Sequence, residues 1–257
     1  MSEIINLHLA DDIIDFTAER LLKLGADAAL ISGGRRPFLF IRKALAGKIK
    51  KASFAQECFT RDEFIDKLIF NNSRLSKISQ TEGAYILFEI IKEKFPDILK
   101  GRRTFAEFFK WAVEILSFID NSLLEDVSGS ALKNIERNAD IGYEVPRNIN
   151  DLLKNIFNLR ESFLYALGKK NLTMRGLSYL LAGKMSAQEL CCGFDKIILL
   201  APFYMHKTEL VIFKKIYDEG KLTVILQGDP RKYAALKEIY DFFGENLPQI
   251  NKTSESK

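Results

Sequence analysis

Two short runs constrain this chain more than any other feature. Asp195-Lys196-Ile197-Ile198-Leu199-Leu200 and Lys221-Leu222-Thr223-Val224-Ile225-Leu226-Gln227 are almost continuously apolar. A strand with one wet face alternates between apolar and polar residues, whereas a strand buried on both faces does not. Both runs fall far short of the roughly 20 apolar residues that cross a bilayer. The segment between them, Lys207–Asp218, fits a helix that Gly220 ends. Strand, helix and strand at this spacing make a βαβ unit with a right-handed crossover. The runs are therefore expected inside an open, parallel α/β sheet.

The beginning of the chain carries the same kind of signal. Ile4–Leu9 reads as a short strand, and Asp11 or Asp12 can cap the helix Ile13–Leu24, which Gly25 ends. Asp27–Ser32 is a second apolar strand, closed by Ser32-Gly33-Gly34-Arg35-Arg36-Pro37. The helix after it places Phe38, Ile41 and Leu45 on its buried side, with Leu39 a further candidate. Thr60-Arg61-Asp62-Glu63 has the form of a capping box, and Phe64, Ile65, Leu68 and Ile69 follow as the apolar face of a third helix.

From Thr81 to about Leu181 the periodicity is helical almost throughout. Helices are expected at Thr81–Lys94, Thr104–Asp120, Asn148–Leu167 and Met174–Leu181, with Gly and Pro at the punctuation. Beyond Leu226, Gly228-Asp229-Pro230 closes the strand, Arg231–Phe243 reads as helical and the last residues as a polar tail. The resulting division is 1–75 for the first part of the sheet domain, 76–190 for a helical insertion, 191–245 for the second part and 246–257 for the tail.

Composition narrows function only a little. The formal net charge of +4 permits contact with a polyanion without demanding it, because both signs are interspersed. The three cysteines, Cys58, Cys191 and Cys192, have no disulfide or zinc spacing and suit a reducing compartment. MSEIINLHLADD has acidic residues where a signal peptide needs basic ones. No transmembrane run is expected, and the location expected is cytoplasmic.

The candidate sites lie at strand ends. Gly33-Gly34-Arg35-Arg36 sits where α/β folds bind phosphate, yet the G-x-x-x-x-G-K-[ST] spacing of a P-loop is missing. It reads either as an ordinary turn or as a phosphate contact through Arg35 and Arg36. The strand Ile197–Leu200 is placed for the acids that hold magnesium in nucleotide hydrolysis, but Ala201-Pro202-Phe203-Tyr204 follows it. Glu209 lies further on, in the next helix. Asp229 follows the other strand and reads as a turn cap or a ligand. His8 and His206 have no metal-spaced neighbours. Phe105, Phe108, Phe109 and Trp111 read as core, and Lys100-Gly101-Arg102-Arg103 as a basic turn. No metal and no cofactor is expected.

Taken in order, these features resemble the N-terminal region of AddB-type subunits of bacterial helicase–nucleases, relatives of RecB-family exonucleases and, more distantly, of UvrD-like helicases. The likeness is carried by AALISGGRRPFLFIRKAL at 28–45, by Phe59-Thr60-Arg61-Asp62-Glu63-Phe64-Ile65, and by Tyr143–Leu167 with Leu172-Thr173-Met174-Arg175-Gly176-Leu177-Ser178-Tyr179. Phe194–Pro202 and Val224–Tyr233 fall where UvrD-like helicases carry a Walker B strand and a Gly-Asp strand end. Where relatives have a small apolar residue and Pro before Arg-Arg, this chain has Ser32-Gly33-Gly34.

The resemblance implies a P-loop, UvrD/RecA-like parallel sheet with a large all-helical insertion. It implies a noncatalytic role in double-strand break repair and recombination, with DNA and an AddA-type subunit as partners. Arg35, Arg36 and Arg175 would contact DNA, and Ala201, Pro202 and Asp229 would mark a degenerate nucleotide site. Relatives carry a PD-(D/E)xK nuclease domain further on. This chain stops near Lys257, before such a domain could fit, so no nuclease activity is expected of it, and the degenerate nucleotide site implies no ATPase activity. It reads as a truncated member, a single domain of a longer protein or a degenerate gene product. An unrelated α/β enzyme or binding protein for a phosphorylated small molecule is the competing expectation.

Overall fold

The computed structural model describes residues 1–49, 56–138 and 152–248, with the side chains of 136–138 left aside. The tail at 249–257 and the start of the helix expected at Asn148 lie outside the described residues. The chain divides into two compact units, Met1–Leu68 with Ala182–Lys257, and Ile69–Leu181.

The first unit is built on a five-stranded sheet. In chain order its strands are β1 (Glu3–Leu7), β2 (Ala28–Ser32), β3 (Glu57–Thr60), β6 (Lys196–Leu200) and β7 (Leu222–Gln227). Their order across the sheet is β1-β7-β6-β2-β3, and every pairing is parallel. The two apolar runs are neighbours, with Leu199 opposite Val224 and Leu200 opposite Ile225. All five residues of β2 are buried, as are the last four of β6 and the first five of β7. That is why these strands do not alternate.

Helices cover both faces. Helix α1 (Ile13–Leu24) and α2 (Arg36–Lys48) share one face, where Ala18, Leu21, Phe38, Ile41 and Leu45 pack on Leu30, Ile198, Leu200 and Ile225. Asp12 caps α1 by accepting from the Ile14 and Asp15 N–H groups, and Gly25 ends it at φ +82°. Leu39 is 68% exposed, contrary to the expectation for it. It lies about 100° around the helix from Phe38, off the stripe that the sheet covers.

Phe59 of β3 points to the opposite face and meets Phe64 of α3 (Arg61–Asn72), which stacks on Phe213 of α10 (Lys207–Asp218). Helix α11 (Ala234–Phe243) packs on α10. It starts three residues later than expected because Asp229 organises a turn first. The Asp229 carbonyl accepts from the Lys232 and Tyr233 N–H groups, and Tyr233 is extended as N-cap. A one-turn helix, α9 (Ala187–Leu190), precedes β6 in this unit, with Ser186 and Glu189 forming its capping box.

The second unit is helical. Its long elements are α4 (Gln80–Lys94), α5 (Phe105–Leu124), α6 (Gly129–Asn138) and α7 (Ile156–Lys169). Helix α8 (Arg175–Ala182) runs to its boundary. The core gathers Leu87, Ile91, Phe108, Ile115, Ile119, Leu159 and Phe163. Phe105, Phe109 and Trp111 pack against that core, as the sequence led one to expect. Helix α6 was not anticipated. Neither was the parallel pair of two-residue strands β4 (Ser76–Lys77) and β5 (Leu172–Thr173), which are far apart in sequence and too short to carry periodicity.

Candidate functional site at the carboxyl edge of the sheet

In an open parallel sheet, ligands bind beyond the carboxyl ends of the strands, where adjacent strands send their connections to opposite faces. Here that point lies between β2 and β6. They are hydrogen-bonded neighbours, Ser32 opposite Leu200, and are followed by α2 on one face and α10 on the other. The loops that meet there are Gly33–Arg35, the start of α3, and Ala201–His206. The loop after β7, Gly228–Tyr233, lies next along the same edge.

Each loop is shaped by local chemistry. Ala201 leaves β6 at φ +46°, a left-handed conformation that costs a side chain about 1 kcal/mol, and its N–H still bonds the Ile225 carbonyl. The strand therefore stops two residues short of Pro202, which is buried. At the other loop Arg35 precedes α2 as an N-cap whose side chain does not cap the helix, and Pro37 stands in the first turn. Thr60 and Glu63 make the expected capping box: Glu63 Oε2 accepts from the Thr60 N–H at 2.7 Å, and Thr60 Oγ1 from the Glu63 N–H at 3.2 Å. The Thr60 N–H first, and the Arg35 guanidinium second, hold the Glu63 carboxyl below the usual carboxylate range.

The group that ties the edge together is an ion pair. Arg61, the first residue of α3, donates from Nη1 to Glu209 Oε2 at 2.7 Å and to the Tyr204 carbonyl at 3.0 Å. Glu209 is fully buried, and its Oε2 also accepts from the His206 N–H at 2.8 Å. Its other oxygen, Oε1, makes no hydrogen bond. The Arg61 side chain also passes Gly33 so closely that a Cβ there would stand 3.5 Å from Nη2. One arginine thus links the loop after β2, the start of α3 and the loop after β6.

The residues singled out in the sequence fall as follows. Arg35 is an exposed side chain bonded to Glu63, and Arg36 is exposed beside it. Ala201 and Pro202 close β6 at the same edge. Asp229 holds its own turn, its Oδ1 accepting from the Arg231 N–H at 3.0 Å. Arg175 belongs to the other unit, 3.9 Å from Asp120 Oδ2 and over the Tyr179 ring. The sequence reading missed the Arg61–Glu209 pair, although two local patterns bear on it. Thr60-x-x-Glu63 sets Arg61 at a helix start, and His206-x-x-Glu209 turns Glu209 back toward the same edge.

It also missed three aromatic side chains in these loops. Phe203 and Tyr204 follow Pro202 with 56% and 53% of their surface exposed, and Tyr233 is 41% exposed. The Phe203 and Tyr233 rings meet edge to face, 5.8 Å between centroids at 70°. Gly228, at φ +125°, lies beneath Tyr233, where a Cβ would come within 3.6 Å of the ring.

Among the described residues no group of three or more His, Cys, Asp or Glu side chains is placed to hold a metal ion. Nor is any helix among them long and apolar enough to cross a membrane. The chain matches no family model, and no curated protein matches it.

Proposed function

We propose that this chain is a noncatalytic, helicase-like module of the AddB type, P-loop-derived and UvrD/RecA-like in class, contributing DNA binding and complex assembly in break repair. One observation carries the reading. The two central apolar strands lie side by side in a parallel sheet, and at the end of β6 a left-handed Ala201 leads straight into Pro202. A nucleotide-hydrolysing relative needs acids there to hold magnesium and orient water. The next carboxylate along the chain, Glu209, is buried against Arg61 and is held as structure.

The arrangement of the chain supports the same reading. A helical unit is inserted between β3 and β6, so the sheet is begun before it and completed after it. DNA affinity on this reading is carried by exposed cations such as Arg36, and falls steeply with salt. Fluorescence anisotropy with a labelled oligonucleotide at low and moderate salt tests it, together with co-purification of an AddA-type subunit and an ATPase assay. Salt-sensitive binding without ATP turnover is expected. Clear ATP turnover, or neither DNA binding nor partner capture, defeats the reading.

A second reading has one observation in its favour. The N-terminus of α2 carries no side-chain cap, and Gly33 and Gly34 bring bare backbone to the switch point beside Arg61. A phosphorylated small molecule would use that arrangement. Calorimetric titration with nucleotides and inorganic phosphate separates the two readings.

A further inference from the structure

Exposed aromatic rings beside cations are the elements of a surface on which bases stack. The two loops at the ends of β6 and β7 present Phe203, Tyr204 and Tyr233 to water within a few residues of Lys207, Arg231 and Lys232. Between Ala201 and Lys207 and between Gly228 and Ala234 the only acid is Asp229. Its carboxylate is turned onto the Arg231 N–H. Phe203 and Tyr233 come from different loops, yet their rings are already in edge-to-face contact, so the pair is set before any ligand arrives. Pro202 and Pro230, both buried, anchor one end of each loop. Gly228, at φ +125°, lies beneath the Tyr233 ring in a backbone conformation that favours glycine.

We propose that Phe203 and Tyr233, with Tyr204 beside them, form a stacking platform for the bases of single-stranded nucleic acid. Lys232 meets its phosphates, with Arg231, whose guanidinium donates to the Pro248 carbonyl, beside it. The proposal rests on the DNA-binding reading above and adds to it which form of nucleic acid is bound and where. Planar rings with flanking cations take unpaired bases because every base offers a π-face, whereas bases within a duplex are already stacked on each other. A binder that used only the arginines of the α2 start would hold duplex and single strand through phosphates alone, without a preference founded on stacking.

The test is anisotropy of a labelled oligothymidylate and of a duplex of equal length, using the full chain. Three proteins are compared: wild type, F203L/Y233L, and F203Y/Y233F. Leucine keeps apolar bulk and removes the planar face, while the exchanged aromatics keep it. Thermal melting checks that each variant is folded, which the exposure of both rings favours. Wild type should prefer the single strand, F203L/Y233L should bind it about tenfold or more weakly, and F203Y/Y233F should bind within about twofold of wild type. The loss in the leucine variant should persist at moderate salt, because stacking is not screened as phosphate contacts are. Wild-type binding that the leucine variant leaves unchanged, or a preference for duplex, overturns the platform and leaves the DNA-binding module standing. If wild type binds neither form, both fall together.

Discussion

At the residue scale the edge of the sheet holds two unfavourable local states. Ala201 sits at φ +46° with its methyl group exposed, so the side chain there brings strain and no packing. A glycine in that place should relieve the strain, offset in part by its larger freedom in the unfolded chain. A201G is expected to stabilise the protein by about 0.5 kcal/mol, read as a higher urea midpoint. Glu209 is the second case. Its charge is compensated by Arg61 and the His206 N–H, and one of its oxygens has no partner. Removing Arg61 leaves a buried charge without its cation, which costs about 3 kcal/mol. R61M should therefore be strongly destabilising, and R61M/E209M should recover much of that loss in chemical denaturation. A double variant no better than R61M would mean that Arg61 acts through the Tyr204 carbonyl instead.

At the element scale, α8 is seated by glycine. Gly176 gives its N–H to Asp120 Oδ1 at 2.6 Å, and a Cβ at Gly176 would lie 2.5 Å from the Asp120 carbonyl oxygen and 2.9 Å from Leu123. Within the same turn, Thr173 and Ser178 share a buried hydrogen bond. The Thr-x-Arg-Gly-x-x-Tyr stretch thus fastens α8 to α5, whatever else Arg175 does. G176A forces backbone apart and should cost about 2 kcal/mol. By contrast T104A, which removes the capping-box acceptor of α5, should cost about 1 kcal/mol.

Local chemistry of this kind is what the sequence exposes. Asp12 before α1, Thr60 with Glu63, and Gly25 and Gly220 after their helices act over a few residues, and each could be read directly. The burial of β6 and β7 was legible for a similar reason, since composition alone distinguishes a strand with two covered faces. Pairings between distant segments were not legible. Arg61 finds Glu209 across 148 positions, and nothing within either segment names the other. The two-residue strands β4 and β5 exist only because each supplies the other's ladder. The aromatic loops were not legible either, because the exposure of Phe203, Tyr204 and Tyr233 depends on how two loops distant in sequence fold beside each other.

At the scale of the whole sheet unit, its two ends are closed over one another by phenols, and this sets a limit at high pH. Ser2 Oγ donates to the Tyr217 carbonyl and accepts from the Leu222 N–H, joining the N-terminus to α10 and β7. The Tyr217 hydroxyl donates to Glu245 at 2.6 Å, and its ring meets Phe243 of α11 edge to face. Burial is the first cause that pushes both phenols upward, with Glu245 second: Tyr240 rises to about 12, and Tyr217 moves in the same direction. An unfolded chain loses these protons near pH 10. Between that value and the folded values the native state binds more protons than the unfolded state, so stability falls as pH rises. Below about pH 10 both states are protonated and the phenols add no slope. The decline should therefore begin near pH 10 and reach at most about 1.4 kcal/mol per pH unit for each phenol. Urea midpoints between pH 8 and 11.5 measure it. Y240F should remove part of the slope while keeping the ring, and Y217F/Y240F should remove most of it. A slope unchanged in the double variant would place the alkaline transition in the lysines and leave the tyrosine closure without a role in it.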